Sequence, residues 1–262
     1  MHVVSWNIDH GNDLEKLAGA MGRNHSDLCL LQEVDWGTRR TNEEDIAGRL
    51  ARELGLNLAY AVEFEELSQE RADPAFIGQA TLTRLPVRRS RVLRFQHQSG
   101  FWKPRDWIPS SLPLMQRRMG GRIALVSELE FGGQLLVVYN AHLESRSYGR
   151  IQNQQLDEIL ADFARNYPPQ TAVIVGGDLN TKYFPSWFLH KLENAGFRSV
   201  LGQRVERTHT IAFALDWIFF RGAVHVRAAG LEKSWKGSDH YALQAELVAD
   251  GSEAWSSLME TK

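Results

Sequence analysis

The chain predicts an α/β fold built on mixed sheets, and three observations point there. Short apolar runs of strand length alternate with longer stretches whose apolar residues recur at helical spacing. Six polar motifs lie at the ends of the strand-like runs: Ser5-Trp6-Asn7, Gln32-Glu33, Asn140-Ala141-His142-Leu143-Glu144, Gly177-Asp178-Leu179-Asn180, Leu215-Asp216 and Ser238-Asp239-His240. Asn7, Glu33, His142 and Asp178 follow their strands, whereas Asp216 and His240 precede theirs. If all converge on one rim, where open α/β folds build sites, the last two strands must run opposite to the others.

Residues 3–6 form the first expected strand, followed by a helix over 13–23 with Leu14, Leu17, Ala18 and Met21 on one face. Residues 28–31 read as a buried strand running into Gln32-Glu33. Thr41-Asn42-Glu43-Glu44 has the form of a capping box, predicting a helix that carries Ile46, Leu50 and Leu54 and stops at Gly55. Strands are expected at 80–83, 122–129 and 135–139, then a helix over 151–164 with Leu156, Ile159, Leu160 and Phe163 inward. A strand at 172–175, a helix at 185–195 closed by Gly196, and strands at 217–220 and 241–247 complete the series. Residues 63–78, rich in acids, and 96–118, with Trp102, Trp107 and three prolines, read as irregular.

With 262 residues, 43% hydrophobic and 24% charged, the chain is long enough to bury a substantial core as one domain over 1–248, leaving 249–262 as a polar tail. The lone Cys29 sits in the apolar run Leu28-Cys29-Leu30-Leu31, which excludes an internal disulfide and suits a small core residue. The N-terminus has neither the basic start nor the apolar stretch of a signal peptide, and no run approaches a membrane span, so a cytoplasmic location is expected. A formal charge of −2 argues against a general polyanion binder.

The motifs supply the groups that cut a phosphate ester. A carboxylate directly after four apolar residues, as at Glu33, is expensive to bury alone and is expected to be metal-bound, paired or solvated. Glu33 and Asp239 suit a hard cation such as Mg²⁺, which takes oxygen ligands. Asp178 and Asn180, two residues apart, can point into one pocket, although an ordinary Asx-turn uses the same residues. His142 and Glu144 have the spacing that places side chains on one face of an extended segment, where a carboxylate would fix the imidazole. Asp239-His240 offers a second acid–base group, with Asp216 able to orient it from a neighbouring antiparallel strand. A Walker A loop, a cysteine pair and a Gly-x-Ser-x-Gly elbow are all absent.

In this order, over nearly the whole chain, the motifs resemble the endonuclease/exonuclease/phosphatase superfamily of deoxyribonuclease I-like, metal-dependent enzymes. Ala80-Thr81-Leu82-Thr83-Arg84-Leu85-Pro86 and Asp216-Trp217-Ile218-Phe219-Phe220 match its quieter segments. The resemblance implies a four-layer α/β/β/α sandwich, two packed mixed β-sheets with outer helices. It also implies Glu33 as the principal Mg²⁺ ligand (Mn²⁺ serving in its place), with Asn7 and Asp239 completing the metal neighbourhood. Asp178 and Asn180 would orient the attacking water. His240, held by Asp216, and His142, held by Glu144, would contact the phosphoryl oxygens, with base and acid unassigned between them.

The expected reaction is one-step hydrolysis of a phosphodiester, in nucleic acid or in a small diester or phospholipid headgroup. His142-Leu143-Glu144-Ser145 and the Ser-Asp-His ending are similar to the tyrosyl-DNA phosphodiesterase branch, but Gly177-Asp178-Leu179-Asn180-Thr181 departs from it. Leu215-Asp216-Trp217-Ile218 replaces the signature of inositol polyphosphate 5-phosphatases and argues against that activity. A nuclease would draw on Arg88, Arg89, Arg91, Arg94, Arg117, Arg118 and Arg122 for phosphate and on Trp102 or Trp107 for base stacking. A non-catalytic binding module is the remaining alternative, disfavoured because every metal, water-orienting and histidine position is filled.

Overall fold

A computed structural model describes residues 1–68, 74–103 and 117–250. In chain order the first half comprises β1 (His2–His10), α1 (Leu14–Arg23), β2 (Leu28–Trp36), α2 (Ile46–Leu54), β3 (Asn57–Glu66), β4 (Ala75–Thr83) and β5 (Val87–Arg94). Next come β6 (Arg118–Gly120), β7 (Ile123–Phe131), β8 (Gln134–His142), α3 (Arg150–Asn166) and β9 (Ala172–Asp178). The last elements are α4 (Pro185–Asn194), β10 (Arg198–Ser199), β11 (Asp216–Arg221), β12 (Val224–Glu232) and β13 (Ala242–Ala249).

Among the described residues these strands form two mixed sheets, in the orders β12-β13-β1-β2-β4-β3-β6 and β10-β11-β9-β8-β7-β5. Alternation within each strand sorts the core into layers. Val3, Leu28 and Leu30 of the first sheet meet Leu136, Val138, Ile174 and Ile218 of the second. The opposite faces carry Val4, Trp6, Cys29 and Leu31 under α1 and α2, and Val137, Tyr139, Val173 and Val175 under α3 and α4. Strands covered on both faces read as unbroken apolar runs, which is why β2, β8 and β9 stand out in the sequence. The four-layer sandwich follows from these three clusters. Cys29 is wholly buried, and burial pushes its thiol up to about 12, leaving it inert.

Polar side chains pin the sheets together. Asn140 of β8 donates to the carbonyls of Leu31 (3.1 Å) and Ala80 (3.0 Å) and accepts from Gln32 Nε2 (2.7 Å). Gln79 of β4 donates to the Ile123 carbonyl and accepts from Leu125 N on β7. Buried amides earn such positions only when satisfied; Asn140 and Gln32, quoted in the motifs, are therefore structural pins beneath the site.

Several expectations are corrected. Thr41 caps no α-helix: residues Arg39–Thr41 form a 3₁₀ turn, and α2 begins at Ile46 with Asp45 accepting from Gly48 N. Asp45 competes successfully because its carboxylate reaches an otherwise unpaired N–H of the first turn. Gly55 does end α2, in the left-handed conformation at φ 63°. Both ends of the acidic stretch 63–78 are strand, since β3 runs to Glu66 and β4 starts at Ala75, and residues 69–73 lie outside the described residues. β12 separates β11 from β13; its half-exposed residues lack the apolar run that marks the other strands. β13 extends to Ala249, into the stretch read as tail, and residues 251–262 lie outside the described residues. Trp107 does too, whereas Trp102 packs on Phe64 and Phe101. No described helix is long and apolar enough to cross a membrane.

Candidate active site

The strand directions place all six motifs on one rim. β9 is parallel to β8 and antiparallel to β11, so Asp178 at the end of β9 stands opposite Asp216 at the start of β11. β1 is parallel to β2 and antiparallel to β13, which brings His240 back beside Asn7. Ser238 Oγ donates to the Asn7 carbonyl (2.6 Å), and Trp6 Nε1 donates to the His240 carbonyl (2.9 Å). Asn7, Asp9, Glu33, Arg122, His142, Asp178, Asn180, His209, Asp239 and His240 line a common pocket. Asp239 is exposed at its mouth.

Backbone irregularities aim these side chains. Between Leu31 and Val34 the pairing of β2 with β4 slips, a bulge that sets Gln32 and Glu33 against the single residue Gln79. Glu33 sits in this bulge at φ 52°, and Asp9 and His10 are also left-handed at 44° and 69°. Such strain in non-glycine residues persists only where the surroundings hold it. Gly177 lies inside β9, not in a turn, at φ 136°. A Cβ there would fall 1.9 Å from the Ala141 carbonyl oxygen, so glycine is needed for β8 and β9 to carry His142 and Asp178 side by side.

Asp178 Oδ2 is the meeting point. Asn7 Nδ2 donates to it at 3.2 Å, and the Nε2 atoms of His142 and His240 stand 3.5 and 4.0 Å away. Its other oxygen accepts from Asn180 N (2.9 Å), and Asn180 Nδ2 donates to the Leu143 carbonyl (3.0 Å). His240 Nδ1 pairs with Asp216 Oδ2 at 2.8 Å. That pair joins the two sheets, because β11 belongs to the second and β13 to the first; the neighbouring-strand arrangement expected for it is replaced by a contact across the sandwich. Burial alone would lower the His240 pKa, but the carboxylates of Asp216, Asp178 and Asp239 push it up to about 10. The ring is therefore an imidazolium with Nε2–H facing the pocket.

His142 is held by a residue the sequence reading missed. Glu63 Oε2 lies 3.2 Å from His142 Nδ1, while the Glu144 carboxylate accepts from the backbone N–H groups of Ser99, Ser145 and Arg146. β8 ends at His142, so the alternation that would put Glu144 on the same face has already stopped. Arg122, named from the sequence only among the arginines a nuclease would use for phosphate, lines the pocket. It is only 6% exposed, its Nη1 donates to Glu63 Oε1 (2.6 Å), and its Nε has no hydrogen-bond partner among the described residues. Burial pushes the Glu63 carboxyl up, yet His142 and Arg122 hold it below the usual range. A charge inside the apolar-flanked Val62-Glu63-Phe64 and another opening Arg122-Ile123-Ala124-Leu125-Val126 were the available signals.

Glu33 lies beside a basic cluster: His10 Nε2 is 3.4 Å and His142 Nε2 3.9 Å from its oxygens. Burial raises its pKa, but His142, His10, Arg122 and Arg118 outweigh that and bring it to about 2, so it is ionised. His10 is itself fixed by Asp35 (3.0 Å), which Arg40 grips with two nitrogens. Asp9 is shifted upward by burial and by the nearby Glu33 and Asp239 carboxylates. Glu33 and Asp9 offer carboxylate oxygens, of the kind a hard divalent cation takes, in one group with His10, while Asp239 falls in a second group with His209 and His240, across the same pocket. His209 joins this neighbourhood, its Nε2 3.1 Å from Asp239 Oδ2 and its ring edge-on to His240.

Several strand arginines are committed elsewhere. Arg91 forms a two-nitrogen contact with Asp162, Arg88 pairs with Glu130, and Arg118 contacts His10 and Glu66.

Known proteins share this fold. The model of the Endonuclease/Exonuclease/phosphatase family matches residues 4–240. No curated protein sequence matches the chain. Among solved structures, the endonuclease/exonuclease/phosphatase of Beutenbergia cavernae is 17% identical, with TM-score 0.70, over 96% of this chain and 72% of that one. The human Nocturnin catalytic domain, solved with a bound sulfate anion, is 18% identical with TM-score 0.70, covering 95% and 94%. D. rerio TDP2, solved with a single-strand DNA product, is 18% identical with TM-score 0.63, covering 95% and 99%. The chain belongs to the endonuclease/exonuclease/phosphatase family, whose members are in general metal-dependent hydrolases of phosphoester bonds.

Proposed function

We propose that the chain hydrolyses a phosphodiester in one step, using Mg²⁺ and a water held by Asp178 and Asn180. The observation that carries this reading is the convergence on Asp178 Oδ2 of Asn7, His142 and His240 beside an ionised Glu33.

Glu33, with Asn7 and Asp239, would hold the cation, which when bound offsets the charge that develops on the phosphoryl oxygens. The remaining work falls to side chains. Asp178 accepts a hydrogen bond from the attacking water, and its own contacts to Asn7 N–H and Asn180 N–H fix the direction of attack. His240, protonated by virtue of Asp216, donates from Nε2 to a phosphoryl oxygen. The Glu63 carboxylate, 3.2 Å from His142 Nδ1, and Arg122 Nη1, 2.7 Å from both ring nitrogens, hold the imidazole with Nε2 3.5 Å from Asp178 Oδ2. Arg122 adds a fixed positive charge beneath this group, held charged against its burial by Glu63 and Glu33. Removing one such donor typically costs roughly 100- to 1,000-fold in turnover.

The test is hydrolysis of bis-p-nitrophenyl phosphate by the purified protein with Mg²⁺. The expected result is turnover lost in His240→Ala and in Asp178→Asn. Wild-type rates in both variants would exclude the mechanism.

A further inference from the structure

The two groups of acid and imidazole side chains at the pocket have opposite chemistry, which their hydrogen bonds reveal. In the group of His209, Asp239 and His240, His209 Nδ1 accepts from Ile211 N (2.9 Å). The His209 proton therefore sits on Nε2, 3.1 Å from Asp239 Oδ2. His240 has its Nδ1 on Asp216 and presents a second N–H. Two donors flank one carboxylate there, an arrangement that suits an anion.

The group of Asp9, His10 and Glu33 is the reverse. His10 Nδ1 stands 3.0 Å from Asp35 Oδ1. Burial raises the Asp35 pKa, but hydrogen bonds from His10 and Arg40 outweigh it, so Asp35 is ionised and only accepts. On the other side of the ring Arg118 Nη2 lies 3.1 Å from His10 Nε2, and a guanidinium only donates. Nδ1 thus carries the proton and Nε2 keeps its lone pair, 3.4 Å from Glu33 Oε2. One atom from each of Asp9, His10 and Glu33 lies within 4.8 Å of the others. Lone pairs brought together in this way suit a cation.

The backbone is shaped to make this group. The pairing of β1 with β2 slips between Asn7 and His10, and that of β2 with β4 slips between Leu31 and Val34. Asn7 Oδ1 accepts from Asp9 N (3.1 Å) and Asn12 Nδ2 donates to the Asp9 carbonyl (2.8 Å), which fixes the turn. Behind the ring, Asp35 is wholly buried and accepts from Arg40 Nε (2.6 Å), Arg40 Nη2 (2.9 Å) and Thr38 Oγ1. An ion pair of Asp35 with Arg40 would need no imidazole turned toward a second carboxylate. A held carboxylate on the far nitrogen is instead the support that sets the tautomer and orientation of metal-binding histidines.

We propose that His10 Nε2 is a nitrogen ligand of the cation held by Glu33, and that it makes this centre prefer Mn²⁺ to Mg²⁺. Mg²⁺ takes oxygen ligands, whereas an imidazole favours first-row transition metals. Arg118 competes with the cation for the same lone pair and keeps Glu66 as its other partner (3.5 Å). The assignment deepens the metal-dependent phosphodiesterase reading and rests on it.

Electron paramagnetic resonance of Mn²⁺ bound to the purified chain reads the site without turnover. Spin-echo modulation of the wild type is expected to show a directly bound nitrogen. His10→Asn, which suits the left-handed backbone at φ 69°, should lose that signal and bind Mn²⁺ at least about tenfold more weakly. Its Mg²⁺ affinity, from competition against Mn²⁺, should fall less. Arg118→Gln should strengthen Mn²⁺ binding by more than Mg²⁺ binding, and it decides the matter if His10→Asn does not fold. A wild type without nitrogen modulation, a signal that persists in His10→Asn, or equal changes for the two metals in either variant would overturn the proposal. Turnover with Mg²⁺ by a chain whose Mn²⁺ shows no nitrogen would fell this assignment and leave the phosphodiesterase reading standing. Nitrogen-bound Mn²⁺, lost in His10→Asn, in a chain that cleaves no diester would do the opposite.

Discussion

His142 Nδ1 and Glu63 Oε2 lie 3.2 Å apart, although 79 residues separate them in the chain. Glu63 contacts His142 and Arg122 together, so one carboxylate orients the imidazole and neutralises a buried guanidinium. Glu63→Gln is expected to lower kcat by about 10- to 100-fold with little change in KM, in the manner of residues that orient a ligand or base from behind. Glu144→Gln should leave kcat far closer to wild type, because the amide oxygen can still accept from backbone N–H groups. Steady-state kinetics on a soluble diester compares the two.

The same carboxylate makes stability depend on pH. Glu63 is held below its usual value in the folded state, so its contribution is fully present above the unfolded value of about 4.5 and is lost as pH falls through the folded one. Urea midpoints of wild type should therefore drop more steeply below about pH 4.5 than those of Glu63→Gln. At neutral pH the variant should be less stable by about 3–5 kcal/mol, because Arg122 is left buried without its partner.

Gly177 and Gly133 separate two costs of replacing glycine. Both have positive φ, but a Cβ at Gly133 meets nothing within 4 Å whereas one at Gly177 overlaps the Ala141 carbonyl. Gly133→Ala should cost about 1 kcal/mol. Gly177→Ala should cost several-fold more, and thermal unfolding of the two variants measures the gap. Equal shifts would mean that β8 and β9 can separate without penalty.

Asn140 carries no chemistry in this account. Asn140→Leu strands the Leu31 and Ala80 carbonyls and the Gln32 amide between the sheets, a loss of about 2–3 kcal/mol or more. Residual turnover of the folded fraction should stay near wild type. A variant of full stability but no activity would move Asn140 into the site.

Legibility in the sequence followed local physics. β2, β8 and β9 were visible because both faces are buried, and the exits and entries of the motifs required the antiparallel placement of β11 and β13. The positions of Asp178, His240 and Glu33 on one rim followed from that. Glu63, Arg122 and His209 did not, since each acquires its partner through pairing between distant strands or a loop folded back on His240. Glu144 misled for a related reason: two-residue spacing says which face a side chain takes only while the strand lasts. The capping box failed because Asp45, four residues later, reaches the helix that Thr41 was expected to start.

Metal-dependent turnover of bis-p-nitrophenyl phosphate tests the central claim most directly. Protein stripped with EDTA should be inactive and should recover on titration with Mg²⁺, with Glu33→Gln needing a higher Mg²⁺ concentration than wild type for half-maximal rate. Hydrolysis that persists both in EDTA and in His240→Ala would contradict the account.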